Sequence, residues 1–402
     1  MPSSEPASSR RSALAAVGAA VSASIAGCSG IRDAVRNRGV ERPERQVAAE
    51  WTPSPGQWPM NGYSYARRSH NPHATPPRES PSVAWSWTVP GDIADIVVVD
   101  DRAYVRTSDA LVALDARDGR VRWRRPRSTP GSLLYVAGRL YDAENETLRA
   151  LTPAGTPTWT HDVEISPLSY AVFERAGWVY LLARDTAVRL HADTGEVVST
   201  AERDVFVPTT AGGPVYTGRF SFGAFDVSDG FDRRWVMEAD SGYTAYDGAA
   251  VAGDTVYRPE AVFHGSPSGR LGLYRTADGG VRAAIPFEHT PFSPAVTGNE
   301  VFVSTATVTA GSIGTGGGLI ALSRDGFERW TYAPDASLTA PVSANDAVYV
   351  GPWANDDVPL VAFDATAGRE LWRLPVTGTP SLAAAGNTLY VATSERVRAL
   401  RE

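Results

Sequence analysis

Short stretches in which apolar side chains alternate with small or polar ones recur along most of the chain. In each repeat, one such stretch ends near an aromatic residue, and these aromatic residues lie about 40 residues apart. They are Tyr104, Tyr141, Tyr180, Tyr216, Tyr257, Phe302, Tyr349 and Tyr390. A second alternating stretch follows each of them, as at residues 111–115 and 360–364. Alternation with a period of two is typical of β-strands, so each repeat contains at least two strands.

A glycine follows the second stretch in seven of the repeats. These glycines are Gly119, Gly155, Gly195, Gly230, Gly279, Gly326 and Gly368. A glycine at this point supplies the positive φ that a tight hairpin requires. Four short antiparallel strands in each of eight repeats are the sequence pattern of a propeller. The sequence therefore predicts an all-β fold, an eight-bladed β-propeller of four-stranded antiparallel blades.

A tryptophan stands four or five residues after the turn glycine in five of the seven hairpins. These residues are Trp123, Trp159, Trp235, Trp330 and Trp372. We expect each indole ring to dock between neighbouring blades, where burial of a ring of this size contributes about 3 kcal/mol or more. The third and fifth repeats have Ser199 and Ala283 or Ala284 at this position. Those two blades are expected to be the loosest.

The two ends of the repeat region complete each other. The eighth repeat stops at Glu402 without an outer strand, whereas residues 82–90 form an outer strand with Trp87 but without a repeat before it. We predict that this N-terminal strand pairs into the last blade and closes the ring, so that no open edge remains between the chain ends. Trp87 is expected to be its docking tryptophan.

The first 81 residues differ from the repeats in composition. Arg10 and Arg11 precede an uncharged stretch, residues 12–31, which contains the only cysteine, Cys28. The stretch is too poor in large apolar residues for a membrane-spanning helix of roughly 20 residues. It resembles a twin-arginine export signal followed by a lipobox, which implies cleavage before Cys28 and attachment of a lipid to its thiol. An uncleaved signal anchor is the alternative.

The sequence thus divides into three parts. Residues 1–27 are predicted to be a signal peptide, and residues 82–402 the propeller. Residues 28–81 are rich in Arg, Glu and Pro and predict a partly extended tether after the lipidated cysteine. Within it, residues 58–72 contain several aromatic side chains and are expected to pack against the propeller.

Charge excludes some partners. The chain has 38 basic and 45 acidic residues and a net charge of −7, which favours neither nucleic acid nor an anionic lipid surface. Every basic residue is arginine. Absence of lysine fits GC-biased coding, adaptation to high salt as in a halophilic archaeon, or both.

The hairpin spacing Ala-x-Asp-x-x-x-Gly-x-x-x-Trp, found at residues 113–123 and 362–372, resembles the docking motif of the pyrroloquinoline-quinone-like (PQQ-like) β-propeller repeat family. The resemblance covers residues 82–402. What the resemblance implies is a central channel in which the dehydrogenases of this family hold a quinone and Ca²⁺. Many of these enzymes also have a pair of adjacent cysteines against the quinone. That pair cannot form here, because Cys28 stands alone. We therefore expect no PQQ, no calcium or other metal, and no catalytic residues.

Loops offer the remaining candidates. The connection between the second and third strands is longer in blades 5, 6 and 7, at residues 258–269, 303–318 and 351–359. Loops on a rigid scaffold often carry recognition. The candidate partner face comprises Glu260, Phe263, His264, Trp353, Asp356 and Asp357. Trp353 is either its anchor or a packing contact between blades.

Two further motifs lie in loops. Gly314–Gly318 is expected to be a flexible hairpin tip, and Asn145 fits the N-glycosylation pattern.

Together these features predict a non-catalytic, monomeric propeller, tethered by lipid to the outer face of the cytoplasmic membrane. It would serve as a binding or assembly platform for an unknown protein or cell-envelope polymer. In plan it resembles the propeller lipoprotein of the bacterial outer-membrane barrel assembly machinery. The alternative is a quinone- or sugar-dependent oxidoreductase that uses the channel.

Overall fold

The computed structural model describes residues 41–127, 131–144, 147–162, 171–183, 186–202, 205–227, 231–237, 242–262, 268–309, 312–334, 336–353 and 358–402. Within these ranges the chain forms β-strands and no helix. Eight sheets follow one another along the sequence, and the strands of each blade pair antiparallel, which confirms the predicted eight-bladed propeller. No helix long and apolar enough to cross a membrane occurs in these ranges.

Two short strands precede the first blade: β1 (His70–Asn71) and β2 (Ser82–Thr88). In blades 1 and 2 the order from the channel outwards is β3 (Ile93–Val99), β4 (Arg102–Thr107), β5 (Ala110–Asp115) and β6 (Val121–Pro126), then β7 (Gly131–Val136), β8 (Arg139–Glu144), β9 (Thr147–Leu151) and β10 (Pro157–Asp162). Blade 3 contains β11 (Ala171–Arg175), β12 (Trp178–Ala183), β13 (Thr186–His191) and β14 (Val197–Glu202). Blade 4 contains β15 (Val215–Thr217), β16 (Phe222–Asp226) and β17 (Asp232–Met237). Its innermost position in the described chain is a single bridge between Thr209 and Tyr216.

The innermost strand is split in blades 5 and 6. Blade 5 contains β18 (Tyr243–Ala245), β19 (Ala250–Ala252), β20 (Thr255–Val262), β21 (Gly269–Arg275) and β22 (Val281–Phe287). Blade 6 contains β23 (Thr290–Pro291), β24 (Ala295–Val296), β25 (Glu300–Thr309), β26 (Ser312–Ser323) and β27 (Glu328–Tyr332). Blade 7 contains β28 (Val342–Ala344), β29 (Ala347–Val350), β30 (Leu360–Asp364) and β31 (Glu370–Leu374). Blade 8 contains β32 (Ser381–Ala385), β33 (Thr388–Ala392) and β34 (Arg396–Arg401), with β2 as its outer strand.

Burial changes from the channel outwards. The third strand of blade 1, β5, is buried from Ala110 to Leu114, because both of its faces lie against neighbouring blades. The outer strand β6 is mostly exposed and only its half-buried Trp123 points back to the core. The position of a strand in the blade thus determines its sequence pattern. Inner strands are continuous apolar runs, whereas outer strands alternate between apolar and polar residues.

The docking tryptophans make one repeated contact. Each indole Nε1–H donates to a carbonyl of the next blade or of the N-terminal segment, at 2.8–3.1 Å: Trp123 to Pro153, Trp159 to Ala192, Trp235 to Thr276, Trp330 to Ala365 and Trp372 to Pro77. The ring covers the turn glycine of that blade wherever such a turn exists. At Gly195, a Cβ would lie 2.5 Å from the Trp159 ring and the φ is +74°, so both the backbone and the ring require glycine.

Strand β2 pairs antiparallel with β34 and completes blade 8, as predicted. The docking tryptophan of this strand is Trp85, however, so the prediction for Trp87 was wrong. Trp85 is 7% exposed, donates to the Ala116 carbonyl at 3.0 Å and covers Gly119. Its register relative to the adjacent bulge matches that of Trp123 in blade 1. Trp87 is half-buried, two residues further along the strand.

The extended hairpin of blade 6 differs from the loop expected there. Residues Gly314 to Gly318 lie within β26 rather than at a flexible tip, and Gly317 and Gly318 pair with Ala306 and Thr305 of β25. A bulge between Ala306 and Val308 accommodates two adjacent glycines with positive φ, Gly316 and Gly317. In blade 5, which lacks the tryptophan, the Ile285 side chain covers Gly326 instead.

Candidate functional site

The segment that precedes the repeats is bound to the propeller. We call residues 41–78 the strap. Near its beginning, the Glu44 amide donates to the Asp193 carboxylate at 2.7 Å, and the Arg45 guanidinium pairs with buried Glu174 at 2.6 Å. The Ala176 amide donates to the Val47 carbonyl at 2.7 Å. Residues 41–57 were predicted to belong to a partly extended tether. In the structure they lie against the propeller, first on blades 2 and 3 and then on blades 4 and 1, where Glu50 lies beside Gly212 and Gln57 donates to Asp100 at 3.0 Å.

The strap then crosses the end of the central channel and contacts the blades in order. Trp58 and Val98 of blade 1 exchange two backbone hydrogen bonds, at 2.6 and 2.8 Å. The Tyr135 amide of blade 2 donates to the Pro59 carbonyl at 2.8 Å. Tyr65 bridges blades 3 and 4, since its hydroxyl accepts from the Glu174 amide and its carbonyl accepts from the Thr210 amide.

The same pattern continues around the other half of the ring. Amides of Val251 in blade 5, Val296 in blade 6 and Ser343 in blade 7 donate to the carbonyls of Ala66, Arg68 and Ser69, at 2.8–2.9 Å. The Asn71 side-chain amide donates to the Ala384 carbonyl of blade 8 at 2.9 Å. Fourteen residues, 58–71, thus bind the innermost part of all eight blades.

This tight path requires unusual backbone conformations. Gly62 has a φ of +81°, and Tyr63, Arg67 and Ser69 have φ of +72°, +49° and +45°. Non-glycine residues in this region cost of order 1 kcal/mol each and persist where the surroundings fix them. Here the surrounding contacts are the backbone bonds to the blades and the burial of Tyr63 and Ser69.

The strap leaves the channel between blades 7 and 8. The Pro77 carbonyl accepts from the Trp372 indole at 2.9 Å and from the Tyr349 hydroxyl at 3.3 Å. Pro77 therefore takes the place of the hairpin turn that other blades offer to a docking tryptophan. Arg78 pairs with Asp364 at 2.9 Å and with Asp346, and β2 begins four residues later.

A cavity of about 300 Å³ lies above this floor, on the side of blades 1, 7 and 8. Its floor is formed by Trp58, Asn61, Gly62 and Ser69, and its walls come from the beginnings of the innermost strands together with Trp353. Because the strap meets the other ends of these strands, the cavity opens on the opposite face. We call the two faces the strap face and the mouth face.

Few charges surround the cavity. Asp95 is 4% exposed, and burial raises the pKa of its carboxyl to about 7 although both oxygens accept backbone amides, from Ile96 and Leu133, at 2.9 Å. Across the channel, the half-buried Arg67 guanidinium makes no hydrogen bond or ion pair with any described residue. Burial lowers its pKa, an effect that Asp247 and Asp95 oppose.

These residues do not fit a quinone cofactor. Pyrroloquinoline quinone is a planar tricarboxylate, and its recognition calls for several arginines, lysines or amides. The cavity is lined by one ionisable side chain, Asp95, and by no arginine, lysine or histidine. In the part of the chain that the structure describes, no three His, Cys, Asp or Glu side chains lie close enough to hold a metal ion.

The predicted partner face changes in two respects. Glu260 is fully buried rather than exposed, since it pairs with Arg258 and, at 2.6 Å, with Arg270, and accepts from the Tyr274 hydroxyl at 2.7 Å. Trp353 is half-buried and stacks on buried Phe292, with ring centroids 4.7 Å apart and planes 7° from parallel. It lines the cavity at the mouth face.

Several predicted residues lie outside the described ranges. They are Arg10, Arg11, Cys28, Asn145, Phe263, His264, Asp356 and Asp357. Sequence reasoning did not find Asp95 or Asn61. An acid between apolar residues of a first strand, Ile93-Ala94-Asp95-Ile96, was the available signal for the former.

Comparison with known protein families identifies a matching family model. The family model described as outer membrane protein assembly factor BamB matches residues 77–143, 144–293 and 284–402. No curated protein matches the chain.

Solved structures share the fold. The quinohemoprotein alcohol dehydrogenase ADHIIG from Pseudomonas putida HK5 is 14% identical, with a TM-score of 0.67 over 89% of this chain and 83% of that one. BamB from Moraxella catarrhalis is 16% identical, with a TM-score of 0.63 over 80% of this chain and 100% of that one. A europium-containing methanol dehydrogenase is 14% identical, with a TM-score of 0.61 over 85% and 90%. At these identities the similarity concerns the fold alone.

Proposed function

The chain belongs to the family described as outer membrane protein assembly factor BamB, and from this premise we propose that it is a non-catalytic extracytoplasmic platform, tethered to a membrane by a lipid on Cys28. Its partner is a protein or a cell-envelope polymer. The observation that carries the proposal is the channel: the strap closes one end of it, and the remaining cavity offers a single acidic side chain where a quinone would need cations. These features support recognition of a partner rather than catalysis.

The strap also orients the platform. Twelve residues, 29–40, separate Cys28 from the strap, and such a segment spans at most about 40 Å when extended. A lipid on Cys28 therefore keeps the strap face near the membrane, since Glu44 and Arg45 are bound beside blade 3 on that face. The mouth face, with the cavity and the long hairpins of blades 5 and 6, then points away from the membrane and is available to a partner.

The alternative function, a quinone-dependent oxidoreductase, is favoured by the two dehydrogenases with the same fold. We expect PQQ with Ca²⁺ to leave the melting temperature unchanged and to confer no dye-linked oxidation of alcohols or sugars. A ligand at one hundred times its Kd stabilises a protein by about 2.7 kcal/mol, so binding would be visible in a thermal shift. A clear shift together with dye reduction would favour the oxidoreductase instead.

The platform function is tested by capture from solubilised membranes with the anchored protein as bait. The variant Cys28→Ser serves as the unanchored bait, whose intact mass should lack the lipid. We expect the anchored protein to capture one set of partners. A variant whose hairpins in blades 5 and 6 are shortened to the length found in blade 1 should lose these partners while its melting temperature stays unchanged. Equal capture by the shortened variant would place recognition elsewhere, and unchanged mass and membrane fractionation of Cys28→Ser would refute the anchor.

A further inference from the structure

The cavity at the mouth face contains hydrogen-bonding groups that no described residue satisfies. Asn61 is exposed in the lining of the cavity, and its side-chain amide makes no hydrogen bond with any described residue. The hydroxyls of Ser69 and Ser381 and the indole Nε1–H of Trp353 also line the cavity without a partner among the described residues. Four groups that donate or accept thus converge on one space of about 300 Å³.

One wall of this space is a fixed aromatic ring. Trp353 is held by its stacking on Phe292, by its backbone amide, which donates to the Ser337 carbonyl at 2.9 Å, and by the adjacent bridge between Leu338 and Pro352. Phe292 is 2% exposed, so burial in blade 6 fixes the ring on which Trp353 stacks. A ring fixed in this way offers rigid apolar area without a cost in side-chain entropy on binding.

The charge of the cavity restricts the ligand further. Asp95 is the one ionisable side chain in the lining, and each of its oxygens accepts one backbone amide. The lining contains no arginine, lysine or histidine that would bind an anion and no second carboxylate that would help to hold a cation. A neutral molecule with many hydroxyl groups can satisfy the four open groups.

We infer that this cavity binds a monosaccharide unit, with the ring of the sugar lying against Trp353 and its hydroxyls hydrogen-bonded to Asn61, Ser69 and Ser381. A pyranose has an apolar face of C–H groups and a rim of hydroxyls, which matches one aromatic wall and a polar floor. The inference rests on the proposed function for the source of the sugar, a terminal unit of an envelope polysaccharide. The cavity is a recognition site and performs no chemistry.

The test is a titration of the full chain with D-glucose, D-mannose and N-acetyl-D-glucosamine. Binding is monitored by saturation-transfer difference NMR. Cyclohexanol and choline serve as probes for a merely apolar ring and for a cation. We expect saturable binding of at least one sugar, weakened about tenfold or more in Trp353→Leu and in Asn61→Ala. Trp87→Leu and Asn299→Ala are the matched controls, because both residues lie away from the cavity, and they should bind as the wild type does.

Each contrary result has a meaning. Absence of saturable sugar binding by the wild type overturns the inference, as does equal binding by Trp353→Leu, tighter binding of choline than of any sugar, or equal binding of cyclohexanol. Loss of binding in Trp87→Leu or Asn299→Ala, with the melting temperature unchanged, would also overturn it. Partner capture by the hairpins is measured in a separate experiment. The proposed platform function can therefore be supported while the sugar site is refuted, and the sugar site can be supported while the platform function is refuted.

Discussion

A chain that begins at Gly91 is expected not to reach a stable folded state. It lacks both the strap and β2, so β34 becomes an open edge at the seam of the ring. The innermost parts of all eight blades lose their hydrogen bonds to the strap, each of which contributes a net stabilisation of about 0.5 to 1.5 kcal/mol. We expect aggregation, and for any soluble fraction a broad urea transition of low midpoint.

Two longer chains separate the contributions. A chain that begins at Ser82 keeps β2 without the strap and should have an intermediate midpoint, while one that begins at Glu41 should match the full protein. The measurement is urea unfolding followed by circular dichroism, together with light scattering for the oligomeric state. A monodisperse chain from Gly91 with the midpoint of the full protein would refute both the seam and the strap as stabilising elements.

The second large effect is expected from Trp85→Ala. The Trp85 ring covers Gly119, contacts Tyr390 at 5.9 Å between ring centroids and donates to the Ala116 carbonyl, so its removal leaves a cavity at the seam. Truncation of a buried tryptophan costs about 3 to 5 kcal/mol. Trp87→Ala on the same strand should cost about 1 kcal/mol, because its half-buried ring packs against the core but lacks the hydrogen bond and the turn-glycine contact of Trp85.

The comparison of these two variants identifies the docking residue. Unfolding free energies from urea titration at equal m-values give the difference directly. Trp123→Ala, at the same register in blade 1, is the reference for a docking tryptophan. If Trp87→Ala proves as destabilising as Trp123→Ala while Trp85→Ala is mild, the closing strand pairs in a different register and Trp87 is its docking residue.

The fold was predictable because it repeats. Tyr104 with Trp123 and Tyr349 with Trp372 occupy equivalent places in two blades, so a weak local signal is reinforced by its copies. The choice between Trp85 and Trp87 was not predictable in this way. Both residues point to the same face of one strand, and a bulge after Val83 decides which of them meets the turn glycine.

The strap could not be derived from the pattern, although residues 58–72 were expected to pack. It has no period, and most of its bonds to the blades are backbone bonds that any sequence can make. Its direction around the channel is fixed by positive φ at Gly62, Tyr63, Arg67 and Ser69, of which only the glycine is suggestive in the sequence.

Glu260 illustrates the opposite case, a residue assigned to a surface because its hairpin is long. In the paired strands, Glu260 lies directly opposite Arg270, and Arg258 is two residues away on the same face. Two arginines flanking an acid across a hairpin indicate an internal ion pair rather than a free carboxylate. This signal was present in the sequence but requires the register of the hairpin to be recognised.

The seam has a consequence for the order in which the protein is made. Strand β2 is synthesised before any blade, whereas its partner β34 is synthesised after every other strand of the propeller. Domains of this length otherwise begin to fold from the N-terminus during synthesis. Here the first strand must wait unpaired until more than 300 further residues have emerged, since Ser82 pairs with Arg401. A copy that stops before β34 therefore leaves β2 without its partner, so such an incomplete propeller has two unpaired strand edges, one at β2 and one in blade 8.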